Sequence, residues 1–170
     1  MNDPQYLLRP VNPYFIGFSL FISLLFNLLP WGNSPLVPDL LALVLVFWNV
    51  HQPRKVGIGI AFGLGLLMDV HDATLLGEHA LAYSLLSYFA ITIHRRVLWL
   101  NQAGQALHIL PLLLMAKLVP LAIRLLMEAH YPGLQYFLPS VVETLLWPVV
   151  GWLLLLPQRQ PEDVDETRPL

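Results

Sequence analysis

Carboxylate and imidazole side chains occur together in one short segment of the chain, between residues 69 and 79. Such groups can bind a divalent metal ion. The spacing matches no specific metal motif, because there is no HExxH and the two histidines are eight residues apart across a glycine. We therefore predict a polar turn without a metal, in which these side chains end one helix and begin the next. The members of this predicted outer turn are Asp69, His71, Asp72, Glu78 and His79.

The fifth and sixth apolar segments contain Lys117, Arg124 and Glu143. A charge inside a membrane is costly and usually has a role. We predict a buried ion pair in which Lys117 or Arg124 neutralises Glu143 and fixes two helices together. Two alternatives stay open. One is a proton path formed by Lys117, Glu143 and Asp39, and the other is a contact site for a partner helix.

Known catalytic patterns are missing from the sequence. Cysteine is absent, which excludes a thiol nucleophile, a disulfide and a cysteine metal site. There is no GxSxG, no GxxxxGK[ST] loop and no Ser/His pair at a suggestive spacing. We therefore expect no catalytic residue, no metal, no cofactor and no enzyme activity.

The amino-acid composition indicates the class of protein to which these residues belong. Of 170 residues, 56% are hydrophobic and only 12% are charged, whereas soluble domains average roughly 25% charged residues. So few charges cannot cover a soluble surface, and we predict an all-α polytopic membrane protein. A net charge of −2 gives no polybasic signature for nucleic acid.

Six apolar runs predict six transmembrane helices in one bundle, which forms a single domain over residues 1–156. The acidic, proline-containing segment 157–170 is typical of a disordered cytoplasmic tail. The first run lacks the basic start and cleavage site of a signal peptide, so we expect it to remain as an anchor. The predicted spans are 14–30, 36–50, 56–68, 77–93, 103–127 and 136–156.

The second and third spans offer candidates for contact between helices. Pro38 and Asp39 suit the first turn of a helix. Gly57, Ala61 and Gly65 recur every four residues and form a face that lets another helix approach closely. These five residues are candidates for either partner contact or internal packing.

Aromatic and amide side chains add two further expectations. Phe47 and Trp48, at the end of the second span, suit the belt at a membrane interface. Asn27, Asn49 and Trp48 could form interhelical hydrogen bonds.

Basic residues predict the topology, since short cytoplasmic loops carry the Lys/Arg excess. Seven of them fall in the segments on one side, namely Arg9, Arg54, Lys55, Arg95, Arg96, Arg159 and Arg168. Both termini are thus predicted to be cytoplasmic. His94 belongs with its two arginine neighbours at a headgroup-facing edge, and His108 is interpreted as a lone polar side chain in the fifth span.

One region of the sequence has family-like detail. It comprises PDLLALVLVFW, the basic loop HQPRK, VGIGIAFGLGLLMDV and LLGEHALAYSLLSY, within residues 38–88. This region resembles the MreD family of bacterial rod shape-determining proteins, while beyond about residue 95 the likeness is one of hydropathy. The most specific positions are Ala61, Phe62, Gly65, Asp69, Leu76, Gly77, Ala80 and Leu81.

The resemblance implies a non-enzymatic protein of the bacterial inner membrane that belongs to the cell-elongation machinery. It implies binding to the single-span protein MreC and work with MreB, RodA and a penicillin-binding transpeptidase in sidewall peptidoglycan synthesis. The family is similar in fold to the substrate-binding component of energy-coupling-factor transporters, so a component of small-solute (vitamin) uptake is the alternative function. The resemblance leaves the oligomeric state open, and membrane lipid is a further expected contact.

Overall fold

The computed structural model describes residues 7–8, 11–31, 36–128 and 133–160. Within these residues the chain forms six α-helices and one short pairing of extended segments. This confirms the predicted all-helical class, and each predicted span overlaps one helix. The helices are α1 (Pro13–Asn27), α2 (Leu40–His51), α3 (Ile58–His71), α4 (Glu78–Leu98), α5 (Gln102–Glu128) and α6 (Leu138–Leu155).

Helix α2 forms the centre of the molecule. Every residue from 41 to 50 is buried, and the helix contacts α1, α4, α5 and α6. A helix that is apolar on all sides is stable only when neighbours surround it. Its 12 residues extend about 18 Å, which is less than a hydrocarbon core of about 30 Å.

The expected position of Phe47 and Trp48 at an interface is wrong. Both side chains are fully buried, and the Trp48 indole N–H donates to Ser19 Oγ on α1 at 2.8 Å. Because α2 is short and enclosed, its last turn lies in the core. The expected interhelical hydrogen bond of Trp48 is confirmed by the same contact, and Asn49 confirms another by donating to Ser87 Oγ on α4 at 2.8 Å.

Helices α3 and α4 form a closely packed hairpin joined by the turn 72–77. Gly77 immediately precedes α4 with φ of 106°, a left-handed conformation that glycine adopts without strain. The tight turn therefore brings the end of α3 against the first turn of α4.

The C-terminal half is built from the two longest apolar stretches. Helix α5 and the stretch Leu134–Gln158, which contains α6, are each long and apolar enough to cross a membrane. The predicted tail begins differently, because residues 156–158 form a 3₁₀ turn and Arg159–Gln160 pair antiparallel with Leu7–Leu8. The rest of that tail, residues 161–170, lies outside the described residues.

Candidate functional site

The carboxylate of Asp39 collects hydrogen bonds from three helices. Its Oδ1 accepts from the Ala42 N–H at 2.9 Å, which caps α2, and from the Asn27 amide of α1 at 2.7 Å. Its Oδ2 accepts from the Tyr83 hydroxyl of α4 at 2.7 Å. The expected interhelical hydrogen bond of Asn27 is thus confirmed, and its acceptor is a helix cap.

Helices α5 and α6 complete this arrangement. Lys117 Nζ lies 3.8 Å from Asp39 Oδ2, and Glu143 Oε1 accepts the Asp39 backbone N–H at 2.8 Å. We call Asn27, Asp39, Tyr83, Lys117 and Glu143 the Asp39 network. It connects five helices through one residue, so it fixes how the bundle closes at this end.

The charges are distributed differently from the predicted ion pair. Lys117 is close to Asp39, and Arg124 donates to Glu78 at 2.7 Å. Among the described ion pairs none includes Glu143, whose Oε2 is buried without a hydrogen-bond partner. The apolar runs gave the depth of each residue, but the relative positions of the helices select the pairs.

Asp69 holds the first turn of α4 from the end of α3. Its carboxylate accepts backbone N–H groups of Gly77 at 2.8 Å, His79 at 2.6 Å and Ala80 at 3.3 Å. These N–H groups have no acceptor within their own helix. Asp69 follows the predicted span 56–68.

The two histidines of the predicted outer turn pair with its aspartates. His79 Nδ1 lies 2.9 Å from Asp69, and His71 Nδ1 lies 2.9 Å from Asp72. Glu78 lies in the first turn of α4, where it is buried and pairs with Arg124 of α5. The structure therefore brings the turn together as a helix-capping cluster, and the described residues contain no group of three or more ligands that could hold a metal.

A small polar cavity of about 160 Å³ lies between the Asp39 network and the outer turn. Asn27, Asp39, Asp72, His79, Tyr83 and Lys117 are among its lining residues. Sites for small organic ligands usually measure about 300 to 1,000 Å³. The cavity has room for several water molecules or a small solute, and a vitamin-sized molecule exceeds it.

The small-residue face of α3 packs largely inside the molecule. Ala61 is fully buried, and a Cβ built on Gly65 would lie 2.4 Å from Ala80 Cα. Gly57 is different, because a Cβ there would meet nothing within 4 Å. Of these candidates, Gly65 and Ala61 are therefore placed for packing against neighbouring helices, and Gly57 is open.

Comparison with known proteins identifies the family. The profile described as rod shape-determining protein MreD matches residues 8–156, which include all six helices. The chain belongs to the MreD family. It is 30% identical over 151 residues to the rod shape-determining protein MreD of Haemophilus influenzae, covering 87% of this chain and 91% of the relative. No solved structure matches the chain.

Membership in the MreD family carries a role in determining rod shape and a place in a membrane protein family. It agrees with the resemblance drawn from residues 38–88 and extends it beyond residue 95, where the sequence offered only hydropathy. MreD proteins are shape-determining and are not known as enzymes. The Asp39 network and the outer turn are thus features of a structural membrane protein.

Sequence reasoning missed Tyr83 as a member of the Asp39 network. A tyrosine within an apolar helix carries one polar atom, and a buried hydroxyl usually finds an acceptor. Tyr83 lies five residues after the start of α4, at a depth comparable to Asn27 and Asp39. This match in depth was the signal in the sequence that could have placed Tyr83 beside Asp39.

Replacing Asp69 by alanine should lower the free energy of unfolding by about 2 to 4 kcal/mol, because three backbone donors at the start of α4 lose their acceptor. Thermal unfolding in detergent, followed by tryptophan fluorescence, measures the change. Asp72→Ala is the matched control, since Asp72 is exposed and bonds only side chains, and it should cost less than about 1 kcal/mol. Equal losses in the two variants would contradict the capping role.

Proposed function

We propose that this chain is a non-enzymatic scaffold of the rod-shape (elongation) complex in the bacterial inner membrane. It binds MreC and supports sidewall peptidoglycan synthesis together with MreB, RodA and a penicillin-binding transpeptidase. The observation that carries this proposal is the family match over residues 8–156. The partly buried Asp39 network, which links five helices, supports it because a scaffold needs a rigid surface.

The proposed architecture is a six-span bundle with both termini in the cytoplasm. Pairing of Leu7–Leu8 with Arg159–Gln160 brings the two ends of the described chain together. Lys55, in the basic loop between α2 and α3, donates to the Val11 carbonyl, so that loop lies at the same end. Because cytoplasmic loops carry the basic residues, this end is assigned to the cytoplasm.

An apolar groove between α1 and α3 is the proposed surface for MreC. Its volume is about 580 Å³, and its walls include Ile16 and Leu20 from α1 and Ile60 and Leu67 from α3. A Cβ on Gly17 in the same groove would meet nothing within 4 Å. A glycine in an apolar groove lets a further helix pack closely, so one membrane helix of MreC is the occupant we propose.

Gly17→Leu should reduce the MreC recovered with the tagged protein from gently solubilised membranes by roughly tenfold, since the new side chain fills the groove and costs about 1 to 3 kcal/mol of packing. Ala122→Leu is the matched control, because Ala122 is exposed on α5. Its MreC recovery should equal that of the wild type. Western blotting of both proteins measures abundance and recovery together.

The scaffold proposal has its own test in cells. Depletion of the protein in its native rod-shaped host should give round cells, and wild-type protein should restore rods. Cells that stay rod-shaped would contradict the scaffold role. Normal MreC recovery with Gly17→Leu would contradict the groove alone.

Solute uptake remains the alternative function, with the polar cavity at the outer turn as its ligand site. The cavity volume of about 160 Å³ and the internal pairing of its side chains favour the scaffold. Thermal stabilisation by one member of a vitamin panel, or co-purification of an ATPase module, would favour uptake instead.

A further inference from the structure

A basic cavity lies where α4 ends and α5 begins. It measures about 450 Å³ and is lined by Arg95, Arg96, Trp99, Leu100 and His108. The two arginines occupy the last turn of α4, whereas His108 lies on α5. We call it the Arg-His cavity. The sequence suggested no link between His108 and the arginines, and the hairpin brings them together.

The cationic groups of this cavity have no carboxylate partner in the part of the chain that the structure describes. Both arginines are exposed, and none of the described ion pairs includes either of them. A guanidinium binds a phosphate through two parallel hydrogen bonds. Both arginines line the cavity, so it offers two guanidinium groups to an anion that has more than one phosphate oxygen.

His108 can add a third contact from the other wall. Its Nδ1 lies 3.0 Å from the Gly104 carbonyl oxygen, which can only accept, so Nδ1 carries the proton of that bond. The second ring nitrogen, Nε2, has no partner among the described residues. A histidine ring nitrogen can form a hydrogen bond with a phosphate group, so His108 offers one further polar contact.

Apolar surface beside the cavity points to a lipid as the source of the anion. Trp99 is 91% exposed, and Leu98 and Leu107 are also exposed next to the cationic side chains. Exposed tryptophan is typical of the membrane interface, and exposed leucine suits contact with acyl chains. A phosphate free in solution would gain nothing from this apolar rim.

We propose that the Arg-His cavity binds the headgroup of an anionic phospholipid, with preference for a headgroup that carries two phosphates. Basic pockets between membrane helices on the cytoplasmic side bind such headgroups. The proposal rests on the six-span arrangement given above, which assigns this end of the bundle to the cytoplasmic leaflet. It adds a specific lipid site to the scaffold function.

Lipid binding to the full-length protein in detergent tests the proposal, using native mass spectrometry and thermal stabilisation. The probes are cardiolipin with two phosphates, phosphatidylglycerol with one, zwitterionic phosphatidylcholine, and inorganic phosphate. We expect cardiolipin to bind most tightly and Arg95→Gln/Arg96→Gln to weaken it roughly tenfold. Arg96→Gln alone should weaken binding several-fold, whereas Arg54→Gln, an exposed arginine outside the cavity, should bind like the wild type.

Four results would overturn the proposal. Equal weakening in Arg54→Gln would indicate diffuse surface charge. Equal stabilisation by inorganic phosphate would indicate a free anion instead of a lipid. Cardiolipin binding that appears only after removal of residues 161–170, which carry four carboxylates, would identify that segment as the occupant. Unchanged binding in Arg95→Gln/Arg96→Gln would place the lipid elsewhere on the protein, and Arg95→Lys/Arg96→Lys, which keeps both charges, is the control for folding.

The proposed topology is tested separately from the lipid site. The chain contains no cysteine, so Trp99→Cys introduces a single thiol beside the cavity. If a reagent labels that thiol when added on the cytoplasmic side but not when added on the opposite side, the assigned orientation is supported. Lipid binding in detergent does not depend on the orientation of the protein in the membrane. A wrong orientation would therefore fail the labelling test alone, and a missing lipid site would fail the binding test alone.

Discussion

Replacing Asp39 by alanine is expected to remove most of the folded protein. The change leaves the Lys117 ammonium without its carboxylate, and it leaves the Tyr83 hydroxyl and the Asn27 amide without their acceptor. The pair is mostly buried, since 23% of the Lys117 side chain and 11% of the Asp39 side chain are exposed. Removing one partner of a fully buried pair costs about 3 to 5 kcal/mol, so a loss toward the lower end of that range is expected. Abundance in membranes and thermal unfolding in detergent measure this loss.

A double-mutant cycle isolates the charge pair within that effect. The single variants are Asp39→Asn, which removes the anion, and Lys117→Met, which removes the cation. The double variant Asp39→Asn/Lys117→Met should lose less stability than the sum of the losses in the two single variants. Asp72→Asn is the control, because Asp72 lines the same cavity and is 37% exposed at its side chain. Wild-type stability in Asp39→Ala would refute the idea that the Asp39 network holds the bundle together.

Glu143 separates this structural role from the proton path. Glu143→Gln keeps an oxygen to accept the Asp39 N–H and removes only the group that could carry a proton, so normal abundance and normal rod shape are expected. Loss of rod shape at normal abundance would instead favour a chemical role for Glu143.

Replacing Gly65 by leucine should separate α3 from α4 and lower the free energy of unfolding by about 3 kcal/mol or more. The added Cβ would lie 2.4 Å from Ala80 Cα, 2.6 Å from Ala80 N and 2.7 Å from His79 O. All three atoms belong to the backbone, so a rotamer change cannot relieve the contact. Thermal unfolding in detergent measures the loss.

Gly63→Ala provides the matched control on the same helix. A Cβ on Gly63 would meet nothing within 4 Å, and alanine is favoured over glycine inside a helix by about 1 kcal/mol. Gly63→Ala should therefore be neutral or stabilising, whereas Gly65→Ala should destabilise. Equal stability of the two alanine variants would contradict the close approach of α3 and α4.

The sequence by itself determined the class, the helices and the family resemblance. Apolar runs interrupted by glycine, proline and charge indicate helices. In a membrane each run must satisfy its backbone N–H and C=O groups by hydrogen bonds within the same segment, and a helix does this. The resemblance over residues 38–88 needed only the order and type of residues. The apolar pattern and the family resemblance are both local along the chain, and the family match confirmed the resemblance.

The tertiary structure decided which residues meet. Lys117 or Arg124 was predicted to pair with Glu143, yet Lys117 lies near Asp39 and Arg124 pairs with Glu78. Likewise, Trp48 looked suited to an interface and lies in the core. Depth along each helix can be read from spacing, but rotation about the helix axis and the choice of neighbours depend on packing among all six helices, which no single segment of sequence contains.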